Sequence, residues 1–338
     1  MSHQKILVVG PACVGDMVMA QTLFLAIKAQ NPDAVIDVLA PEWSKPLLLR
    51  MKEVRNSIGM PLQHGELKLK TRYKIAKTLR NENYTHAYVL PNSFKSALIP
   101  FWAKIPERIG WRGEMRYIVL NDVRILDKNL YPLMVQRYVA LVDPNNALSK
   151  ETLPKPKLTV PEEALKNTLQ RYRLDLEKPR LVLCPGAEFG RSKKWPEKYY
   201  ATVANRFLEK DWVVWLLGSP KDIPVGQAIN AATKSRCIDL TGKTNLSEAI
   251  DLLSLASVVL SNDSGLMHIA ASLDKPLVAV YGSTDPGFTP PLGEKVRILQ
   301  ETLSCRPCFK RDCPLTHHHC MLKLTPDKVI RSIETMVE

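Results

Sequence analysis

No apolar run in the 338 residues approaches the roughly 18–20 needed to cross a bilayer. The opening MSHQKILVVG enters a strand pattern without the basic start and small-residue cleavage site of a signal peptide. A cytoplasmic location is the expectation. No DxD pair occurs, the motif with which many nucleotide-sugar enzymes anchor a divalent cation. No strand end carries GxGxxG with an acidic residue about 20 positions on, the fingerprint a nicotinamide dehydrogenase needs. Internal repeats and low-complexity tracts are missing as well. Acidic side chains are the scarcer charge, 34 against 47 Lys and Arg, which leaves net +13. Such an excess points to an anionic partner, whether nucleic acid, a membrane surface or a phosphorylated substrate.

What the chain does contain is a recurrent alternation of short apolar runs and amphipathic segments. KILVVG (5–10), VIDVLAP (35–41) and THAYVLPN (85–92) read as strands buried on both faces. Between the first two, Met17, Ala20, Phe24 and Ile27 recur at near-helical spacing. This predicts βαβ units around a parallel sheet. The pattern breaks at LPKPKLTVPEEAL (153–165), where clustered prolines disfavour regular structure and mark a linker. It then resumes with RLVLCPGA (180–187), WVVWLLGS (212–219), CIDLTG (237–242), SVVLSNDSG (257–265) and PLVAVYGS (276–283). The fold class expected is α/β with two Rossmann-like domains. Ligands of open parallel sheets collect beyond the carboxyl ends of the strands, so two facing sheets would hold theirs in a central cleft.

The chemistry-bearing residues sit at those strand ends. In GPACVGDMVMAQ (10–21), Asp16 stands where a strand hands over to a helix, in a turn with neither phosphate-loop spacing. A carboxylate there repels pyrophosphate, so Asp16 either caps the helix or acts on something else. In SNDSGLMH (261–268), Ser264 and Gly265 would offer free amides at a helix N-terminus to a diphosphate, with His268 a turn away and Asp263 beside sugar hydroxyls. An ordinary capped helix is the alternative. CPGAEFGRSKKWPEKYY (184–200) offers Gly186, Ala187 and Gly190 for close approach and Lys193 or Lys194 as a compact charge. The turns GSPKD (218–222) and LTGKT (240–244), the latter with Thr241 and Gly242, complete a surface able to wrap a nucleotide and its sugar. Asp16, on the other sheet, would then face the nucleotide-sugar as a general base.

The ordered set GPACVGDMVMAQ, VLPNSFKSAL, GWRGEMRY, CPGAEFG, KKWP, LSNDSGLMHIAA and YGSTDP resembles the ADP-heptose:lipopolysaccharide heptosyltransferases, from about residue 5 to the C-terminus. The resemblance implies the GT-B fold, with an acceptor domain over 1–160, a donor domain over 161–325 and a last helix, 326–338, packing back towards the first domain. It implies an inverting, metal-independent single displacement from ADP-heptose that requires no cofactor. Asp16 matches the catalytic base, Lys193 the lysine on the donor diphosphate, Ser264, Gly265, Leu266 and His268 the segment that holds it, and Asp263 the carboxylate beside the donor sugar. The acceptor implied is the first heptose of the inner core, carried as heptosyl-Kdo-lipid A, with another inner-core acceptor as the alternative. A monomer peripheral on the cytoplasmic face of the inner membrane is expected, and no nucleic acid.

On the acceptor side, Asn92, Ser93 and Lys95 follow a strand, and GWRGEMRY adds Arg112 and Arg116. Basic residues there suit the phosphate- and carboxylate-rich core, and a solvated surface is the alternative. HGELKLKTRYKIAKTLR (64–80) spaces Lys68, Lys70, Arg72, Lys74, Lys77 and Arg80 among apolar positions, as either a leaflet-facing or a solvated helix. The cluster CRPCFKRDCPLTHHHC (305–320) sets Cys305 and Cys308 at a zinc-type spacing, with Cys313 and Cys320 to follow. A structural metal, reduced thiols and a disulfide all remain open there. Cys13, Cys184 and Cys237 are expected as isolated buried thiols.

Overall fold

The apolar runs become strands of two separate parallel sheets in the computed structural model, which describes residues 4–62, 65–143, 149 and 151–337. The chain divides into two units, Met1–Pro156 and Lys157–Glu338, with the boundary inside the proline-rich stretch.

The first unit runs β1 (Lys5–Val9), α1 (Val14–Gln30), β2 (Val35–Pro41), α2 (Lys45–Leu48), β3 (Val54–Met60), α3 (Leu69–Leu79), β4 (His86–Val89), α4 (Phe94–Trp102), β5 (Glu107–Trp111), β6 (Asp122–Arg124) and α5 (Met134–Val139). Its sheet has the order β3-β2-β1-β4-β5-β6, with Val8 in register with both Val38 and Tyr88. Helices on both faces leave no side of β1 in water, so its residues from Ile6 to Val9 are all buried. α1 is likewise buried on most of its circumference, from Met17 through Phe24. The chain winds outward one way through β2 and β3 and the other way through β4 to β6. Its topological switch point therefore lies between the carboxyl ends of β1 and β4, where open α/β sheets bind ligands.

The second unit repeats this plan with α6 (Glu162–Tyr172), β7 (Arg180–Cys184), α7 (Glu197–Leu208), β8 (Val213–Leu216), α8 (Ile223–Ala232), β9 (Ile238–Asp239), α9 (Leu246–Ser254), β10 (Val258–Asn262), α10 (Gly265–Ser272), β11 (Leu277–Tyr281), β12 (Val296–Gln300), α11 (His319–Leu322) and α12 (Pro326–Val337). The order β12-β11-β10-β7-β8-β9 puts its switch point between β7 and β10. Leu181, Leu183, Trp195, Phe207, Leu260 and Val280 form the core under that point.

Val329 and Ile333 of α12 are fully buried in the second unit's own core, against α7. These side chains close one face of the second unit's own sheet. Glu338, like His64 of the basic stretch, lies outside the described residues.

Candidate functional site

The two loops that flank the second switch point are locked together before any ligand is considered. Asn262, the last residue of β10, accepts from the Trp195 amide (3.1 Å) and the Tyr200 hydroxyl (3.0 Å) and donates to the Pro185 carbonyl (2.7 Å). It thereby fixes the turn after β10 against the turn after β7. Lys193 on the latter reaches Asp263 on the former, Nζ to Oδ2, at 2.5 Å. The ion pair is nearly dry, with the lysine side chain 14% and the aspartate 4% exposed. Thr284, just after β11, donates its hydroxyl to the same Oδ2 at 2.6 Å. Lys193 also lies over the Phe189 ring at 5.0 Å.

α10 begins two residues beyond Asp263. Its N-cap, Ser264, makes no side-chain cap, which leaves the amides of Gly265 and Leu266 open where the helix dipole is positive. His268 is buried on the same helix, and burial, with Lys193 adding and Asp263 opposing, lowers its pKa to about 4. At neutral pH it is an uncharged imidazole that donates a hydrogen bond rather than a point charge. Gly186 and Ala187 follow β7 as expected, and Ala187 is buried. A Cβ on Gly186 would meet the Asp222 carboxylate at 2.4 Å, and one on Gly190 the Arg311 carbonyl at 2.4 Å. These glycines admit the chain's own atoms. Thr241 is buried with its hydroxyl on Asp239 (2.6 Å), and Gly242 takes a left-handed turn (φ +69°) that bonds Gly218.

Asp222, Asn262 and Thr284 are the polar residues here to which sequence reading gave no role. Their signal was position: each lies at or just past the carboxyl end of a strand.

The cysteine loop is the floor of this site. Arg306 donates to the carbonyls of Gly282, Thr284 (2.9 Å) and Glu301 (2.8 Å) and to Gln300 Oε1 (3.0 Å). The amides of Cys308 and Phe309 bond the Ser283 carbonyl. Ser192, next to Lys193, bonds the Arg311 carbonyl through its amide (3.0 Å), the Lys310 carbonyl through its hydroxyl, and Ser283 at 2.8 Å. Cys305, Cys308, Cys313 and Cys320 are free thiols, and among the described residues no three His, Cys, Asp or Glu side chains are gathered as a metal site. Cys313 meets His317, Sγ to Nδ1 at 3.9 Å. The backbone of this loop braces Ser192, the neighbour of Lys193. Cys184 and Cys237 are buried as expected, whereas Cys13 is exposed at the start of α1.

In the first unit the same logic brings Asp16, in the first turn of α1, and Asn92 and Ser93, after β4, to the two strand ends of the switch point. Tyr138 of α5 packs there, its phenol pushed far up by burial and further by Asp16 and Cys13. Asn92 and Arg112 are exposed, and Ser93 and Lys95 half-buried. Arg116 is a correction. Its side chain is fully buried, donating to the carbonyls of Pro91 (2.6 Å) and Trp111 and to Asn92 Oδ1 (3.1 Å), and burial lowers its pKa to about 10. It braces the turns that follow β4 and β5 from within. Arg72 is buried in the same way on the carbonyls of Glu66, Leu67 and Lys95, so it leaves the basic face.

Comparison with known proteins agrees with this geometry. The family model of glycosyltransferase family 9 (heptosyltransferase) matches residues 72–319. Lipopolysaccharide heptosyltransferase 2 of Escherichia coli K12 is 45% identical over 98% of both chains. Lipooligosaccharide heptosyltransferase 2 of Haemophilus influenzae is 46% identical over 98% of this chain and 99% of its own. The solved structure of the E. coli ADP-heptose LPS heptosyltransferase II superposes with a TM-score of 0.89 at 42% identity, covering 99% of this chain and 98% of that one. The fold is GT-B, and the chain belongs to glycosyltransferase family 9, the heptosyltransferases.

Proposed function

We propose that the enzyme moves L-glycero-D-manno-heptose from ADP-heptose to the first heptose of the lipopolysaccharide inner core, with inversion and without a cofactor. The observation that carries this reading is the Lys193–Asp263–Thr284 constellation beside the open end of α10, in a chain so similar to heptosyltransferases 2. The diphosphate lies over the amides of Ser264, Gly265 and Leu266 and draws Lys193 off Asp263. Thr284 then keeps the freed carboxylate aimed at the hydroxyls of the donor sugar. Neutral His268 donates to the diphosphate, and the arriving negative charge raises its proton affinity.

The reaction is one displacement. The Asp16 carboxylate takes the proton of the acceptor hydroxyl as that oxygen bonds to the anomeric carbon. The bond from that carbon to the ADP oxygen breaks on the opposite face, giving an α-linked heptose. Charge building on ADP is met by Lys193, the α10 amides and His268, which are already in place and need little reorganisation. Gly186, Ala187, Thr241 and Gly242 shape the nucleotide side. Asn92, Ser93, Lys95 and Arg112 contact the acceptor, heptosyl-Kdo-lipid A, and the enzyme works as a monomer peripheral to the cytoplasmic face of the inner membrane.

The test is incubation with ADP-heptose and core acceptors ending in Kdo, in the first heptose or in the second, read by mass spectrometry and by anomeric NMR. Only the acceptor ending in the first heptose should gain one heptose, α-linked. Preference for either of the others overturns the assignment.

A further inference from the structure

Three segments leave the carboxyl ends of β3, β4 and β5 and are stitched together. Arg72, at the start of α3, donates to the Leu67 carbonyl (2.7 Å) on its own segment and to the Lys95 carbonyl (3.1 Å) at the start of α4. The Phe94 amide donates to a Glu114 carboxylate oxygen at 2.8 Å, and the Glu114 amide to the Asn92 carbonyl at 3.2 Å. The turn after β5 thus stands beside the first turn of α4, and what it shows to solvent is apolar. Met115 is 85%, Ile118 81% and Tyr117 60% exposed, while Arg116 between them points wholly inward. Phe94, Leu67 and Leu69 are exposed on the adjoining segments. Single exposed apolar residues need no explanation, but a cluster on one rim does.

The collar around this rim is cationic. Lys68, Lys70, Lys74 and Arg112 are exposed. Glu66 pairs with Lys68 at 2.8 Å, and Glu114 accepts from the Phe94 amide while keeping its charge, so the basic surplus of the collar rests on Lys70, Lys74 and Arg112. We propose that this rim docks the enzyme on an anionic phospholipid bilayer, with Met115, Tyr117 and Ile118 entering the headgroup and acyl boundary and the collar meeting lipid phosphates. The inference rests on the lipid-linked acceptor proposed above and adds the residues that reach the lipid. Charge complementarity selects the occupant: an apolar tip in a basic collar, on a chain of net +13, matches an anionic interface. A stable protein partner would instead need about 800 Å² of apolar-cored face on each side, and a protruding turn does not supply it.

The test compares the wild-type enzyme with the double variant Met115→Ser/Ile118→Ser in co-sedimentation with vesicles of phosphatidylethanolamine and phosphatidylglycerol, and with phosphatidylcholine alone. The wild type should pellet with the anionic vesicles only, and the variant should partition about tenfold or more weakly, having lost its apolar anchors. The variant should keep the wild-type melting temperature and its rate on a water-soluble deacylated acceptor, and be slowed only on acceptor embedded in vesicles. Equal partition of the two proteins overturns the inference, as does a wild-type dimer that the double variant dissolves in sedimentation velocity, which would make the rim an interface between copies. Failure of the wild type to modify the soluble acceptor would sink the proposed reaction and leave the partition result standing.

Discussion

Asp263 receives two donors on a single oxygen, Lys193 at 2.5 Å and Thr284 at 2.6 Å, and the account makes them unequal. The lysine is to be lent to the donor diphosphate, while the threonine stays. Thr284→Val, which keeps the shape and removes the hydroxyl, should lower transfer by roughly 10- to 100-fold, the worth of a buried hydrogen bond to a charged group. Thr284→Ser should restore most of it, whereas equal behaviour of the two variants in steady-state kinetics would show that packing alone matters. His268 gives a pH prediction. Its folded-state pKa, about 4, lies below the ordinary 6.5, so the unfolded chain binds the extra proton first. Stability is full above about pH 6.5 and falls by up to about 3 kcal/mol as pH drops towards 4. His268→Gln should flatten that fall in melting curves taken from pH 7 to 4.5. Sequence spacing singled out Asp263 and Ser264 because they come straight after β10, whereas Lys193, well beyond β7, was separated from Lys194 only by the family resemblance. It gave no hint that Arg116 and Arg72 turn inward, since that depends on carbonyls that only the folded turns strand without donors.

The elements most legible in the sequence were those buried on both faces. β1, β2, β7, β8, β10 and β11 coincide with predominantly apolar runs. β3 (VRNSIGM), β5 (ERIGW), β6 (DVR) and β12 (VRILQ) were passed over because their polar residues break such runs, as half-exposed strands towards the sheet margins tolerate. α12 buries Val329 and Ile333 in the second unit's core. Ile333→Ala should cost about 2–5 kcal/mol, as for other fully buried aliphatic side chains, in denaturant unfolding of the second unit. The cysteine loop yields a sharper test. A methyl group at Gly190 would meet the Arg311 carbonyl at 2.4 Å and push apart the loop that carries Lys193 and the loop that braces it. Gly190→Ala should therefore weaken ADP binding by about tenfold in calorimetry, equivalent to about 1.4 kcal/mol, and unchanged affinity would remove the brace from the account.

At the scale of the whole molecule, two sheets of the same strand order each bury a core of their own. Roles divided between them should respond separately to ligand. Saturating ADP, at about 100 times its dissociation constant, should stabilise the second unit by about 2.7 kcal/mol if the proposed donor site is right. In hydrogen exchange this protection should fall on the strands from β7 to β12 and leave β1 to β6 as they were. The central claim is that the first unit supplies the base for a donor held by the second. The direct measurement is single-turnover heptosyl transfer by Asp16→Asn beside the wild type, with ADP affinity measured on both. The account expects transfer slowed by at least about a hundredfold with ADP binding unchanged. Transfer within a few-fold of the wild-type rate would contradict it.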